Sequence, residues 1–278
     1  MKLTRVFKKI GHFILLAVIV LSLSSCNGIP LLNSTAVDVQ MNAKVTNVNT
    51  VSIQAFSANI KVAATNVEEA KVHLTGNISG DEKELEQLLH VDAEGTSLNI
   101  QMQHSNGLLV TANDLMLDIE LPSRHYAQLS VQTSSGNIDL QRLEVDHLNT
   151  RASSGNIKIE QFEGEKFKAE SSSGNIEVDK LAADASIQAS SGNISVDLEK
   201  VGKPLTAETT SGNVTITVPK DAKARVKADT KWDKMQIDAP FTITSQDKRH
   251  VEGILNNASA DDASFYVKTT SGKFSLKQ

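Results

Sequence analysis

Apolar and polar residues alternate along this chain in short runs that return at a fixed interval. From Leu129 the inward candidates come in sets: Leu129, Val131 and Thr133; Leu148, Thr150 and Ala152; Phe167, Ala169 and Ser171; Ile187 and Ala189; Leu205, Ala207 and Thr209. Each set leads into a five-residue unit, Ser134-Ser135-Gly136-Asn137-Ile138 in its first clear copy, and then into a second alternating run such as Ile138 and Leu140 or Ile157 and Ile159. Alternation with period two buries one face of a strand and leaves the other in water. Two short strands and two bends per period therefore predict a coil wound around a thin apolar interior.

The repeated unit sets the period. Its glycines, Gly136, Gly155, Gly174, Gly192 and Gly212, step by 19, 19, 18 and 20 residues, and a worn copy containing Gly272 follows after 60, three times 20. Such spacing marks stacked coils, none of which buries its apolar face alone. The expected fold is all-β, a single-chain β-solenoid of two-strand coils about 19 residues long. At each corner, glycine is expected to supply a positive φ, with asparagine the next most tolerant of that geometry. Coils stacked about 4.8 Å apart would place Asn137, Asn156, Asn175, Asn193 and Asn213 over one another, with their amides bonded as a ladder.

The pattern weakens on both sides of this array. Alternation begins at Val37, Val39 and Met41. Ser57-Ala58-Asn59-Ile60 reads as a degenerate corner with Ala58 in the glycine slot, and Thr75-Gly76-Asn77-Ile78 as a second weak copy. Ser79 and Glu82 have capping-box spacing, and Leu85, Leu88 and Leu89 form a stripe, which predicts one short inserted helix over 81–90. After Pro219 the corner signature fades while alternation persists at Ala224, Val226 and Ala228, at Met235 and Ile237, and at Phe241 and Ile243. The coil is therefore expected to continue with altered corners. The resulting organisation is a signal over 1–25, a tether over 26–36, an N-terminal β region with the helix over 37–128, and the regular solenoid with irregular C-terminal coils over 129–278.

The signal changes the charge and the location. Lys2, Arg5, Lys8 and Lys9 precede an apolar core from Phe13 to Leu23, and Leu23-Ser24-Ser25-Cys26 closes it. Small residues before a cysteine resemble the lipobox of bacterial lipoproteins, which implies diacylglyceryl transfer to Cys26, cleavage before it and acylation of the new amino terminus. The alternatives are a plain secretory leader with a chance cysteine, or an uncleaved anchor. Two or more acyl chains hold a protein stably on a membrane. Four of the 28 basic side chains and none of the 33 acidic ones lie in residues 1–25, so the processed chain carries 24 against 33, a net charge of −9. That disfavours nucleic acid as a partner. Cys26 is the sole cysteine, so no disulfide forms within the chain.

Chemistry-bearing residues are few. Calcium-binding coils require glycine and aspartate every nine residues, whereas this period is twice that and the residue after glycine is neutral. The glycines precede strands rather than helices and lack a phosphate-loop ending, no His-x-His or His-Glu-x-x-His spacing occurs, and no serine sits in a Gly-x-Ser-x-Gly elbow. No metal, cofactor or catalytic residue is assigned. Glycoside hydrolysis needs two nearby carboxylates, and Asp139, Glu160, Glu177, Asp179 and Asp197 could stack on one outer face by register. Trp232, the sole tryptophan, is either a ligand platform or a half-buried packing residue.

The Ser-Ser-Gly-Asn-Ile array, the lipobox and the closing Thr-Thr-Ser-Gly-Lys-Phe-Ser-Leu together resemble the bacterial putative-adhesin domain family of unknown function, which includes the LiaG-like envelope proteins. The resemblance covers roughly Val37 to Leu276. Many family copies carry aspartate where this chain has Asn137, Asn156 and their equivalents. It implies a β-solenoid displayed at the cell envelope, on the outer face of the cytoplasmic membrane or on the outer membrane, without established catalysis. Three functions stay open: a non-catalytic adhesin-like interaction or scaffold module contacting an unknown envelope protein or glycan, an envelope-stress regulator or sensor, and a carbohydrate-active enzyme.

Overall fold

The structure is a computed structural model and describes residues 18–19, 34–79, 88–102 and 115–278. The fold is an all-β solenoid, with 23 strands among the described residues. They form two faces, joined where the long strand Ile176–Ala189 runs through the gentler bend from one face to the other. The first face stacks the strands that precede each corner, among them Tyr126–Thr133, Val145–Ala152, Phe162–Ser171 and Leu205–Thr209. The second stacks the strands that follow, among them Ile138–Leu140, Ile157–Ile159, Ile194–Leu198 and Val214–Thr217. Neighbours within this array are parallel and in register, so each inward column repeats one residue class. Leu129, Leu148, Phe167, Ala185 and Leu205 lie in line, as do Ile138, Ile157, Ile176, Ile194 and Val214. Every inward residue expected for the five regular coils is buried.

Stacking order departs from chain order at both ends. The strand Thr50–Ala55 inserts between Ser97–Met102 and Tyr126–Thr133, and Asn59–Thr65 between Met116–Pro122 and Ile138–Leu140. At the far end Ala263–Thr269 stacks directly on Leu205–Thr209, and Phe274–Lys277 on Val214–Thr217. The segment between them is displaced outward: Ala224–Asp229 lies on Ala263–Thr269, and Met235–Asp238 on Phe274–Lys277. The 60-residue gap between Gly212 and Gly272 is thus one outer coil plus an antiparallel hairpin, Phe241–Gln246 with His250–Leu255. It is not a run of stacked intermediate coils, and the two glycines are direct neighbours.

The local expectations outside the regular array fare differently. Ala58 does occupy a corner, directly beneath Gly136. Gly76 does not: it lies inside the antiparallel strand Ala70–Ser79, opposite Val37, with φ 135. Most of the helix expected over 81–90 lies outside the described residues, and its last residues, Leu89 and His90, begin the strand Leu89–Glu94. The signal with Cys26 also lies outside apart from the two-residue strand Val18–Ile19.

The corner glycines are required for a different reason from the one their sequence context suggests. Among the described residues only Gly76 and Gly95 are glycines with positive φ. A Cβ on Gly155 would lie 1.7 Å from the Gly136 carbonyl oxygen, and one on Gly174 1.8 Å from that of Gly155. Glycine stands at the corner because successive backbones approach too closely for any side chain, not because the backbone turns left-handed.

Near the start of the solenoid, one side chain fastens a loop to the stack. Arg124 donates to the carbonyl of Thr46 at 2.9 Å and to those of Val45 and Val48. Its guanidinium lies 4.9 Å from the ring centre of buried Tyr126, whose hydroxyl donates to the Pro122 carbonyl at 3.1 Å.

Candidate interaction surface

The corner presents three outward columns. Ser134, Ser153, Ser172, Ser190, Thr210 and Thr270 form the first, Ser135, Ser154, Ser173, Ser191, Ser211 and Ser271 the second, and the asparagines the third; all are exposed. The asparagine ladder differs from the expected chain of amides. Each side-chain Oδ1 accepts the backbone N–H of the next rung: Asn156 N–H donates to Asn137 at 2.9 Å, Asn175 to Asn156 at 2.8 Å, Asn193 to Asn175 at 2.8 Å and Asn213 to Asn193 at 2.9 Å. The column starts one rung earlier, at Asn59, which accepts from the Asn137 backbone N–H at 3.0 Å and, in the one amide-to-amide bond of the expected kind among the described residues, from its Nδ2 at 3.1 Å. It ends at Lys273, whose N–H donates to Asn213 at 2.8 Å. An acceptor side chain is needed only where another such rung follows, so lysine is tolerated at the last position.

Small residues before the corner have a role beyond their size. Thr209 Oγ1 donates to the Gly192 carbonyl at 2.9 Å and accepts from the Gly212 N–H at 3.2 Å. Thr133, Ser171 and Thr269 form the same bridge. Buried hydroxyls thereby satisfy backbone groups that the tight corner leaves unpaired, while Ala152 and Ala189 fill the same slot without one.

Beside the corner, the outer face of the first sheet carries a groove of about 370 Å³. Its floor is the column Arg151, Glu170, Gln188, Glu208 and Lys268, and its wall is formed by the hydroxyl residues Ser172, Ser190, Thr210 and Thr270. Arg151 and Lys168 both approach Glu170, at 3.8 and 2.5 Å. Gln188, Glu208 and Lys268 form no ion pair or side-chain hydrogen bond with described residues, and neither do the wall hydroxyls. These polar groups are held at fixed spacing with their bonding capacity unspent.

The carboxylates singled out from sequence behave otherwise. Asp139, Lys158 and Glu177 occupy one column of the second sheet, so a lysine separates the two acids. Lys158 lies 3.4 Å from Glu177 and 3.8 Å from Asp179, and its pKa is raised, first by Asp179 and then by Glu177. Burial pushes the Asp179 carboxyl up, opposed by Lys158 and reinforced by Glu177. Glu160 pairs with Arg142 at 3.5 Å. Asp197 lies on the same outer face, opposite Thr217 in register. Glu177 and Asp179 thus stand side by side with Lys158 shared between them, and Asp139, Glu160 and Asp197 are spread elsewhere along the face. Trp232 opens the short 3-10 turn Trp232–Lys234.

A second polar cluster went unread in the sequence because its members come from three strands brought together by the displaced stacking order. His250 Nδ1 meets Asp229 at 2.7 Å and its Nε2 meets Glu252 at 2.9 Å; Tyr266 donates to Asp229 at 2.6 Å, and Lys227 lies 3.5 Å from Glu252. Both imidazole nitrogens are occupied, so the ring clasps the hairpin strand His250–Leu255 onto Ala224–Asp229 and has none left for proton transfer to a substrate. The hydrogen bonds to Asp229 and then Glu252 raise the His250 pKa above 6.5. Burial pushes Asp229 up, but bonds from Tyr266 and His250 outweigh it and hold the carboxyl below its ordinary value, while Tyr266 is pushed up to about 12, chiefly by its bond to Asp229. His250, with a raised folded pKa, contributes stability that is complete below 6.5 and lost as pH rises through that raised value. Asp229, with a lowered one, contributes stability present above 3.8 and lost as pH falls through its folded value. Amide exchange at Val251 and Leu255, corrected for intrinsic rates, is therefore expected to be slowest between these limits and to speed up several-fold above neutrality. His250→Gln should abolish the alkaline part, and an unchanged pH profile in that variant would show that another group opens the hairpin.

The chain belongs to the Toastrack DUF4097 family, whose sequence profile matches residues 48–186 and again 170–277. Its fold is similar to that of a "putative cell adhesion protein" from Clostridium sporogenes, at 10% identity, covering 87% of this chain and 98% of that one, TM-score 0.41. A "putative adhesin" from Bacteroides fragilis is similar at 13% identity over 86% and 96%, TM-score 0.45. A "putative lipid binding protein" from Parabacteroides distasonis is similar at 14% identity over 88% and 97%, TM-score 0.37. No curated protein sequence matches the chain.

Proposed function

We propose that this protein is a non-catalytic, lipid-anchored interaction module of the bacterial cell envelope. Its partner, an envelope protein or glycan, lies in the groove beside the corner. The observation that carries the reading is the groove itself, in which Gln188, Glu208, Lys268 and the adjoining hydroxyls are uncommitted, whereas Glu160, Glu177 and Asp179 on the other side of the coil are paired with Arg142 and Lys158. The reading also rests on Cys26, which follows a basic and apolar leader. The solenoid then acts as a rigid ruler that holds these groups at a spacing of about 4.8 Å on a surface fixed beside the membrane.

Two variants separate the parts of this proposal. Cys26→Ala in the full chain is expected to move the protein from the membrane fraction to the soluble one without changing its fold. Glu208→Ala with Lys268→Ala is expected to leave it on the membrane and to reduce the partner recovered after crosslinking about ten-fold, equivalent to about 1.4 kcal/mol. Equal recovery from this variant and from Glu177→Ala, on the opposite face, would remove the groove from the account.

A further inference from the structure

The two ends of the solenoid are finished differently. At the N-terminal end the outermost described strands are Val18–Ile19, which pairs with Ser34–Ala43, and Leu89–Glu94. Val37, Met41, Leu88 and Leu89 are buried there, and Asp92 and Glu94 place charges on the edge strand. Charges of this kind prevent an edge from adding another strand. At the C-terminal end the outermost strands are Met235–Asp238 on one face and Phe241–Gln246 on the other, each hydrogen-bonded on one side only. Phe241-Thr242-Ile243-Thr244-Ser245-Gln246 contains no charge, and its one guard is a register shift between Ile243 and Ser245. Among the described side chains at this end, Met235, Ile237 and Phe241 are only half-buried, and Ile243 is 39% exposed.

We propose that this end is closed by the same end of a second copy. A two-fold axis normal to both faces reverses strand direction, so Phe241–Gln246 would pair antiparallel with its own copy and Met235–Asp238 with its own. Such an isologous contact is the commonest kind in homo-oligomers. Phe241–Gln246 carries no charge and Met235–Asp238 only Asp238 at its end, which an antiparallel self-pairing sets opposite Met235 rather than its own copy, whereas the N-terminal edge carries both Asp92 and Glu94. Met235, Ile237, Phe241 and Ile243 of both copies would then complete one continuous core.

This contact has a consequence that rests on the lipid-anchored reading. The strand that follows the tether, Ser34–Ala43, is at the opposite end of the stack, and at roughly 4.8 Å per step the ladder from it to Met235–Asp238 spans about 50 Å. Two copies joined at their C-terminal ends carry their anchors at the two far ends, so the dimer bridges two membrane surfaces.

Full-length protein in detergent, measured by light scattering, is expected to be dimeric at micromolar concentration. Ile243→Lys should return it to monomer with its circular dichroism and thermal midpoint unchanged, and Val91→Lys, on the opposite end, should leave the dimer intact. Cysteines introduced at Thr244 should form an intermolecular disulfide in otherwise wild-type protein. A monomeric wild type, or a dimer that survives Ile243→Lys and gives no Thr244 disulfide, overturns the proposal. Lipid vesicles carrying the full chain should cluster, and those carrying Ile243→Lys should not. A detergent dimer that fails to cluster vesicles while remaining bound to them overturns the bridging arrangement. Failure of the chain to stay on vesicles points instead to the anchor.

Discussion

Gly155→Ala is expected to lower the thermal midpoint of the protein by about 10–20 °C. The added Cβ would stand 1.7 Å from the Gly136 carbonyl oxygen and 2.5 Å from its carbon, both backbone atoms, so no side chain can move aside. Relief requires the two rungs to part. That lengthens the bond from Ser154 N–H to the Ser134 carbonyl, now 2.9 Å, and the bond from Asn156 N–H to Asn137, also 2.9 Å. It also opens the interior between Ile138 and Ile157, both buried. The cost falls in the range above about 4 kcal/mol that marks a backbone collision rather than a lost contact. Gly202→Ala provides the comparison, since nothing lies within 4 Å of its Cβ position. A midpoint shift at Gly155 as small as that at Gly202 would show that the rungs separate freely.

Arg124→Ala is expected to destabilise the N-terminal coils by about 2–4 kcal/mol. The guanidinium satisfies the carbonyls of Val45, Thr46 and Val48 and rests on the Tyr126 ring. Hydrogen bonds to a charged donor contribute about 1.5–3 kcal/mol each, reduced here because carbonyls in a half-exposed loop regain water. Arg124→Lys should recover little, because one ammonium cannot span three acceptors as a planar fork does. Hydrogen exchange read segment by segment is the suitable measurement: protection should fall over 45–55 and persist over 185–216, since coils in a stack depend mainly on their neighbours. Uniform loss along the whole chain would mean that the solenoid unfolds as one unit and that Arg124 is not a local clamp.

How far the sequence carried depends on whether a contact repeats. The coil, its inward residues and the position of every corner from Gly136 to Gly212 follow from period-two alternation and a 19-residue interval, because in-register stacking copies local pattern into tertiary structure. Ala58 was legible for the same reason. The role of glycine was not, since close approach and positive φ leave the same residue in the sequence and only the neighbouring rung distinguishes them. The segment from Ala224 to Leu255 keeps its alternation, yet alternation does not record which strand it pairs with; its antiparallel hairpin and the direct contact of Gly272 with Gly212 depend on long-range order. The clasp of Asp229, His250, Glu252 and Tyr266 was lost with that order. The carboxylates of the second sheet were located by register, but the lysine between Asp139 and Glu177 gives them their chemistry. On the first sheet the equivalent column, from Arg151 to Lys268, carries no sequence signature, because its members share a position in the coil and not a residue type.

We place function on the outer face of the first sheet and read the corner as architecture. A photo-crosslinking residue placed in the full chain at Gln188, in the groove, and separately at Ser195, on the outer face of the second sheet, tests this in intact cells. The expected result is one reproducible crosslinked species from Gln188 and none from Ser195. Capture from Ser195 alone, or equal capture from both, would contradict it.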